Sequence, residues 1–156
     1  MPIPTAGRYD RPNIADREKL IRVTAALSDS RVRLMWGSFE RALDLAEPGD
    51  FLYFDPPYAP LSSTANFTSY TALRFDGEDQ IRLQQVVIAL ARRGCHVMVS
   101  NSTADEIAAL YDTSVEARAA GLRALRIPAR RAINSNAARR GPVFEYLITN
   151  VDDGAC

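Results

Sequence analysis

Phe51-Leu52-Tyr53-Phe54-Asp55-Pro56-Pro57-Tyr58 is the stretch on which the reading of this chain turns. Four consecutive apolar residues follow the turn-forming Pro48-Gly49-Asp50 and stop at Asp55-Pro56-Pro57. That pattern predicts a short strand buried on both faces of a parallel sheet. Two successive prolines fix φ twice and remove two backbone donors, so the loop beyond the strand is stiff and offers carbonyl oxygens that no local amide can occupy. Ligands of open parallel sheets bind beyond the carboxyl ends of strands, where this tetrapeptide falls. A carboxylate beside a fixed carbonyl is a two-acceptor site, suited to an amino group with two protons to give. Asp55, Pro56, Pro57 and Tyr58 are therefore the candidate catalytic residues. A plain turn after a strand is the competing reading, because Asp and Pro favour turns in any protein.

Working outward on the carboxyl side, a polar loop spans Ala59 to Thr71, and Asp76 opens a helical pattern. Ile81, Leu83, Val86, Val87, Leu90 and Ala91 recur at helical spacing until Gly94 stops them. Cys95 to Ser100 reads as a second buried strand. Strand, helix, strand is a βαβ unit, whose strands run parallel through a right-handed connection. Asp105 to Tyr111 predicts a short helix, and Leu122 to Ile127 and Val143 to Thr149 predict two closing strands around an Arg-rich loop. On the amino side, Pro2, Pro4, Gly7 and Pro12 make residues 1–12 an irregular arm. Asn13 or Asp16 then caps a helix in which Leu20, Val23, Ala26 and Leu27 recur up to Ser28. Val32 to Trp36 predicts a short strand closed by Gly37, and Phe39 to Ala46 one or two helical turns. The fold class that follows is α/β.

A chain of 156 residues with 47% hydrophobic and 24% charged content suits one compact domain and excludes a fibrous or disordered protein. No apolar run approaches the roughly 18 residues of a membrane span, and the first twelve residues lack a signal-peptide pattern, so a cytoplasmic protein without a membrane partner is expected. Cys95, inside an apolar run, and Cys156, at the end, have neither metal nor disulfide spacing. They read as reduced thiols, Cys95 in the core, and no metal is expected. His96, the only histidine, falls in a predicted buried strand and reads as a satisfied core residue. Trp36 and Tyr53 read as core or pocket wall. A net charge of zero argues against a uniformly basic nucleic-acid binder, yet Arg118 to Arg140 contains seven Arg and no acidic residue. Such a stretch fits either a track for phosphates or a solvated face.

Asp55-Pro56-Pro57-Tyr58 resembles the signature of amino-methyltransferases that use S-adenosylmethionine, and Asp in its first place points to adenine. In this resemblance Ser commonly accompanies cytosine, and Asn accompanies protein glutamine or structural RNA. The adenine amine is a weak nucleophile because its lone pair is delocalised into the ring; a carboxylate (Asp55) and a carbonyl (Pro56) that accept its protons favour the tetrahedral form that attacks a methyl group. Tyr58 is placed to stack on a base taken out of the duplex. Ala59-Pro60-Leu61 and Thr64-Ala65-Asn66-Phe67-Thr68-Ser69-Tyr70 look like the loop that follows this motif in the Dam-type, D12 class adenine-specific DNA methyltransferases. Gly7-Arg8-Tyr9 and Pro12-Asn13-Ile14 are similar to the end of that family's target-recognition region. Trp36-Gly37-Ser38-Phe39 matches its third motif, with Ser38 in place of an acidic residue. Ser100-Asn101, Arg130-Arg131, Asn134-Ser135-Asn136 and Glu145 to Asn150 resemble later segments.

The resemblance implies S-adenosylmethionine as cofactor, with Ser38, Phe39 and Asp55 near it, and double-stranded DNA as partner. It places Asn66, Tyr70, Arg130, Arg131, Asn134, Ser135, Asn136 and Arg139 near the DNA. It also implies a Rossmann-like methyltransferase fold that is incomplete here, being the carboxy-terminal half of a mostly parallel sheet. Residues 1–12 would be a remnant of the recognition region, 13–150 a partial catalytic domain and 151–156 a tail. All eight glycines are isolated, so the family's Gly-rich cofactor loop has no match, and the acidic residue that would bind the ribose is absent too. The strand ending at Phe54 is then expected to have an unpaired, apolar edge. One piece of a split or interrupted enzyme, pairing with an amino-terminal methyltransferase fragment, is the expectation; a non-catalytic remnant that binds DNA or such a partner is the alternative. An RNA or protein methyltransferase is disfavoured by Asp55.

Overall fold

The computed structural model describes residues 16–61, 75–129 and 143–152, and the chain divides between Gly37 and Ser38 into two units. In the first, α1 spans Arg17–Leu27, and Asp16 caps it by accepting from the Lys19 amide at 3.0 Å. No residue of α1 is buried. Residues 32–36 form no strand. A strand exists through the neighbour that completes its hydrogen-bond ladder, and among the described residues nothing pairs with this segment. Trp36 is 95% exposed, so it is not a core residue.

In the second unit a tight turn, Phe39–Arg41, runs into α2 (Ala42–Leu45), as the one or two predicted turns require. Next come β1 (Phe51–Phe54), α3 (Gly77–Arg93) and β2 (His96–Ser102). The short helix α4 (Asp105–Ile107) widens into a π turn at Ala108–Asp112, followed by α5 (Val115–Ala119), β3 (Arg123–Ala129) and β4 (Val143–Thr149). The four strands form one sheet in the order β1-β2-β4-β3. β1 and β2 are parallel, with Phe54 opposite Val99, whereas β4 runs antiparallel to both β2 and β3. Within these four strands the expected parallel sheet is thus confined to the β1-α3-β2 unit.

α3 forms where its caps and its stripe coincide. The Asp76 carboxylate accepts from the Glu78 and Asp79 amides while Asp79 accepts from the Asp76 amide, a reciprocal capping box. Arg92 and Arg93 in the last turn complement the helix dipole, and Arg93 also donates to the Leu43 and Ala46 carbonyls at 2.6 and 2.9 Å, tying α2 to α3. The buried stripe of Leu83, Val86, Val87 and Leu90 packs in one core with Val97, Val99, Tyr146 and Ile148 from the sheet. Each such aliphatic side chain stabilises by roughly 1.5–3 kcal/mol on burial. Cys95 is buried as a free thiol, its sulfur 3.2 Å from the Glu47 carbonyl oxygen.

Gly94 ends α3 at φ +93, a left-handed conformation, and a Cβ there would meet only Pro48 Cβ, at 3.7 Å. The space tolerates alanine; the backbone does not. Gly94→Ala is expected to destabilise by about 1 kcal/mol in urea unfolding, and an unchanged midpoint would contradict this reading of the cap.

Among the described residues of the second unit, β1 is covered on one side only. Alternation along the strands puts Phe51 and Tyr53 on the opposite side from the α3 core, and they are 59% and 55% exposed. The expectation that β1 is buried on both faces is therefore wrong for the described residues: β1 is an edge strand, with Phe51 and Tyr53 exposed on that face. His96 stands opposite Phe51 in the ladder and is likewise exposed, not a core histidine.

Tyr111 is 1% exposed, and its hydroxyl has no hydrogen-bond partner among the described residues. Burial pushes its ionisation well above the ordinary tyrosine value. Tyr111→Phe is expected to leave stability unchanged or raise it by up to about 1 kcal/mol, since an unpaired buried hydroxyl is removed. The sign of the alkaline effect follows from the raised value. The stability held by keeping Tyr111 protonated is complete below about pH 10, where an unfolded tyrosine ionises, and is lost as the pH rises beyond it. Thermal melts at pH 8 and above 10 check both points; a loss of stability in the variant at pH 8 would show that the hydroxyl has a partner.

Candidate active site at the carboxyl end of the first strand

The parallel register carries β1 and β2 upward together, so Asp55, one step beyond Phe54, emerges beside Ser100, one step beyond Val99. The Ser100 hydroxyl donates to Asp55 Oδ1 at 2.7 Å and accepts from the Tyr53 hydroxyl at 3.1 Å. Asp55 is exposed, and among the described residues nothing donates to its Oδ2.

The proline corner is held from below by a buried polar network. Gln80, in the first turns of α3, donates to the Pro57 carbonyl at 3.0 Å, and Asn101, fully buried, accepts from the Ala59 amide at 3.1 Å. Asn101 in turn donates to Gln80 Oε1 at 3.1 Å, and the Ser102 hydroxyl donates to the Ala59 carbonyl at 2.6 Å. Of the two proline carbonyls, that of Pro57 is thus occupied, while among the described residues nothing donates to that of Pro56. The missing amide hydrogens of Pro56 and Pro57 leave no donor within the dipeptide to fill it.

Tyr58 is 39% exposed, and its hydroxyl donates to Glu145 Oε2 on β4 at 3.2 Å. Desolvation pushes its pKa above the ordinary tyrosine value; a hydrogen bond with the Ser100 hydroxyl opposes the shift and the Glu145 carboxylate adds to it, so the ring stays a neutral phenol. The corner therefore presents a carboxylate oxygen, a backbone carbonyl and a neutral aromatic ring at the end of one strand. Such a set accepts the protons of a planar amine and stacks on its ring.

Ser38 and Phe39 belong to a different cluster. The Ser38 hydroxyl caps the turn after it and hydrogen-bonds Glu40, whose carboxylate also pairs with Arg82 at 3.3 Å. Phe39 is half-buried, its ring 5.7 Å from that of Phe75. No hydrogen bond or ring contact joins either residue to Asp55–Tyr58 among the described residues. Asn66, Tyr70, Arg130, Arg131, Asn134, Ser135, Asn136 and Arg139 lie outside the described residues. Of the arginines in the basic stretch, Arg118 donates to the Asp112 carbonyl, Arg123 pairs with Asp152 at 3.4 Å, and Arg126 lies over the Phe144 ring. These three are engaged within the protein.

Gln80, Ser102 and Glu145 are site residues that sequence reasoning does not single out, and Ser100-Asn101 enters it only as a strand end. A signal for one of them exists: Gln80 occupies a position three residues before Leu83 and seven before Val87, on the apolar stripe of α3, where an amide needs a partner.

Residues 4–126 match the model of the D12 class N6 adenine-specific DNA methyltransferases. The chain belongs to that family. The type II methyltransferase M1.LlaDCHI of Lactococcus lactis subsp. cremoris is 39% identical over 145 residues, covering 92% of this chain and 48% of the relative. The type II methyltransferase M.MjaIII of Methanocaldococcus jannaschii is 37% identical over 146 residues, covering 92% and 47%. The DNA adenine methylase of Escherichia coli K12 is 34% identical over 144 residues, covering 90% and 47%. The chain thus spans about half the length of these relatives. Family membership implies a methyl donor. No helix among the described residues is long and apolar enough to cross a membrane.

Proposed function

We propose that this chain carries the adenine-gripping part of a DNA adenine methyltransferase, which transfers a methyl group from S-adenosylmethionine to the exocyclic amine of adenine in double-stranded DNA. The observation that carries the reading is the pair of acceptors at the proline corner to which nothing donates among the described residues, Asp55 Oδ2 and the Pro56 carbonyl, above a network that occupies the neighbouring carbonyl. Both would accept from the two amine hydrogens of an extruded adenine and so draw the nitrogen towards the pyramidal geometry in which its lone pair points out of the ring plane. Tyr58 would stack on the base, at the cost of a few kcal/mol for unstacking it from the duplex. Once the nitrogen is methylated, its extra proton would pass through Asp55 towards solvent, which the exposure of that residue allows.

When bound, S-adenosylmethionine supplies a methyl group on a positively charged sulfur, with a good leaving group behind it. The described residues fit the acceptor side of this reaction better than the donor side. Ser38 and Phe39, the cofactor candidates together with Asp55, are engaged with Glu40 and Phe75, and no Gly-rich loop is present in the sequence. The donor site is therefore assigned to the half of the family's length that this chain does not span. That half would complete a Rossmann-like methyltransferase sheet along β1, of which residues 13–150 form the carboxy-terminal part, with 1–12 from the recognition region and 151–156 a tail. The exposed apolar side of β1 supports this arrangement, since open edges of that kind are normally covered. The remaining half would lie on the same polypeptide or on an amino-terminal partner. DNA contacts are assigned to Asn66, Tyr70, Arg130, Arg131, Asn134, Ser135, Asn136 and Arg139, because Arg118, Arg123 and Arg126 are taken up internally. A cytoplasmic location accords with a DNA substrate.

Incubating the protein, together with the half of the family's length that it does not span, with S-adenosylmethionine and unmethylated genomic DNA, then measuring N6-methyladenine by nucleoside mass spectrometry, tests the proposal. Methylation at another base atom would refute it. The exposed side of β1 also favours a second reading, a binding or assembly subunit that takes no part in the chemistry; Asp55→Ala in the protein joined by the remaining half separates the two, since methylation is then expected to survive the substitution only under the second reading.

A further inference from the structure

Asp55 sits on the surface, where an aspartate side chain ordinarily samples several rotamers. The two-acceptor mechanism needs one of them. The contacts around Ser100 supply a reason for a single choice. Ser100 is 8% exposed and has a single proton, which it gives to Asp55 Oδ1 at 2.7 Å. Its oxygen accepts from the Tyr53 hydroxyl at 3.1 Å. Tyr53 and Asp55 are two residues apart on β1 and so share a face, and Ser100 projects from the neighbouring strand on that same face. The Tyr58 hydroxyl also lies beside Ser100, but the contact with Asp55 is the shorter of the Ser100 side-chain hydrogen bonds, and along it Tyr53 donates to Ser100 and Ser100 donates to Asp55.

We infer that Ser100 is a positioning residue for Asp55, itself oriented by Tyr53, so that Oδ1 is tied inward and Oδ2 is presented to the substrate amine. The inference rests on the adenine methyltransferase reading and adds to it the device that aims the carboxylate. Without the Ser100 hydroxyl the carboxylate would turn among rotamers, and part of the population would present neither oxygen beside the Pro56 carbonyl. Misplacement of a reacting group by about 1 Å is enough to cost on the order of a hundredfold in rate.

Two measurements test this on the same variants. The first is the side-chain carboxyl signal of Asp55 in the 13C-aspartate-labelled 156-residue chain, assigned by its loss in Asp55→Asn. Tyr53→Phe is expected to shift this signal in the otherwise wild-type chain and to leave it unmoved in the Ser100→Ala background, because the relay passes through Ser100. The second is methyl transfer to unmethylated genomic DNA. Ser100→Ala is expected to lower kcat about 10- to 100-fold with KM for DNA and thermal midpoint near wild type, and Ser100→Thr, which keeps the hydroxyl, to recover most of the rate. Equal shifts from Tyr53→Phe in both backgrounds would overturn the inference, and so would wild-type turnover by Ser100→Ala when Asp55→Ala has lost activity. Wild-type turnover by Asp55→Ala is a different failure: it removes the methyltransferase role of Asp55, and the purpose assigned to Ser100 goes with it. The carboxyl-signal measurement needs no turnover and decides the relay by itself.

Discussion

Asp55→Ala is expected to lower methyl transfer about a thousandfold, by analogy with the loss of one preorganised hydrogen-bonding group in other active sites. DNA affinity should stay within about twofold, since the loss of a carboxylate removes no phosphate contact. Folding should also survive, because Asp55 is exposed and, among the described residues, its side chain bonds Ser100 alone. The conservative variant Asp55→Asn tests the direction of the hydrogen bonds. Its amide keeps the shape and one acceptor oxygen but can turn a donor towards the amine, so activity should stay far below wild type. Quantifying N6-methyladenine in single-turnover reactions, alongside filter binding at fixed salt, separates rate from affinity. A variant that loses DNA binding and activity together, or that unfolds, would mark Asp55 as a structural residue.

The second large effect concerns stability. Asn101 has no exposed surface, accepts from the Ala59 and Ser102 amides at 3.1 and 2.8 Å, and donates to Gln80. Asn101→Ala leaves the Ala59 amide and the Gln80 carbonyl buried without their partner and opens a small cavity. Each unpaired buried group costs about 1–3 kcal/mol, so the sum is expected near 3–5 kcal/mol, a third or more of the stability of an ordinary domain. Urea unfolding reads the loss directly. A change below about 1 kcal/mol would mean that water or a local shift satisfies both groups, and that the network does not set the height of the Pro57–Ala59 segment.

The parts of this fold that the sequence announces are those settled by local rules. α3 has its cap box, its apolar stripe and its stopping glycine within one segment, and β1 is bracketed by Pro48-Gly49-Asp50 and by the proline corner. The pairing of β1 with β2 follows from the strand-helix-strand order alone. Residues 32–36 show where local rules end: their β-prone composition has no effect without a partner strand, and none is found among the described residues. For the same reason an unbroken apolar run at 51–54 suggested burial on two sides, when only the covering elements decide how many sides are buried. His96 fails in the same way, because it faces the open side opposite Phe51.

At the site, the proline corner was legible because both its residues and its position after a strand carry chemistry. The groups that fix it were not, because they come from far along the chain. Gln80 is 23 residues from Pro57, Asn101 is 42 from Ala59, and Glu145 is 87 from Tyr58. Pairings of that range depend on the register of the sheet and on the pitch at which α3 crosses it, and no periodicity records either. Ser38 is a further case of a local role that the motif does not record: its hydroxyl bonds the turn it caps and Glu40.

The measurement that bears most directly on the adenine grip is a crystal structure of the protein with a DNA duplex and S-adenosylhomocysteine. The predicted result is an adenine turned out of the helix, its amine within hydrogen-bond distance of both Asp55 Oδ2 and the Pro56 carbonyl oxygen, its ring against Tyr58. A base bound with its amine directed away from Asp55, or a target adenine left stacked in the duplex, would contradict it.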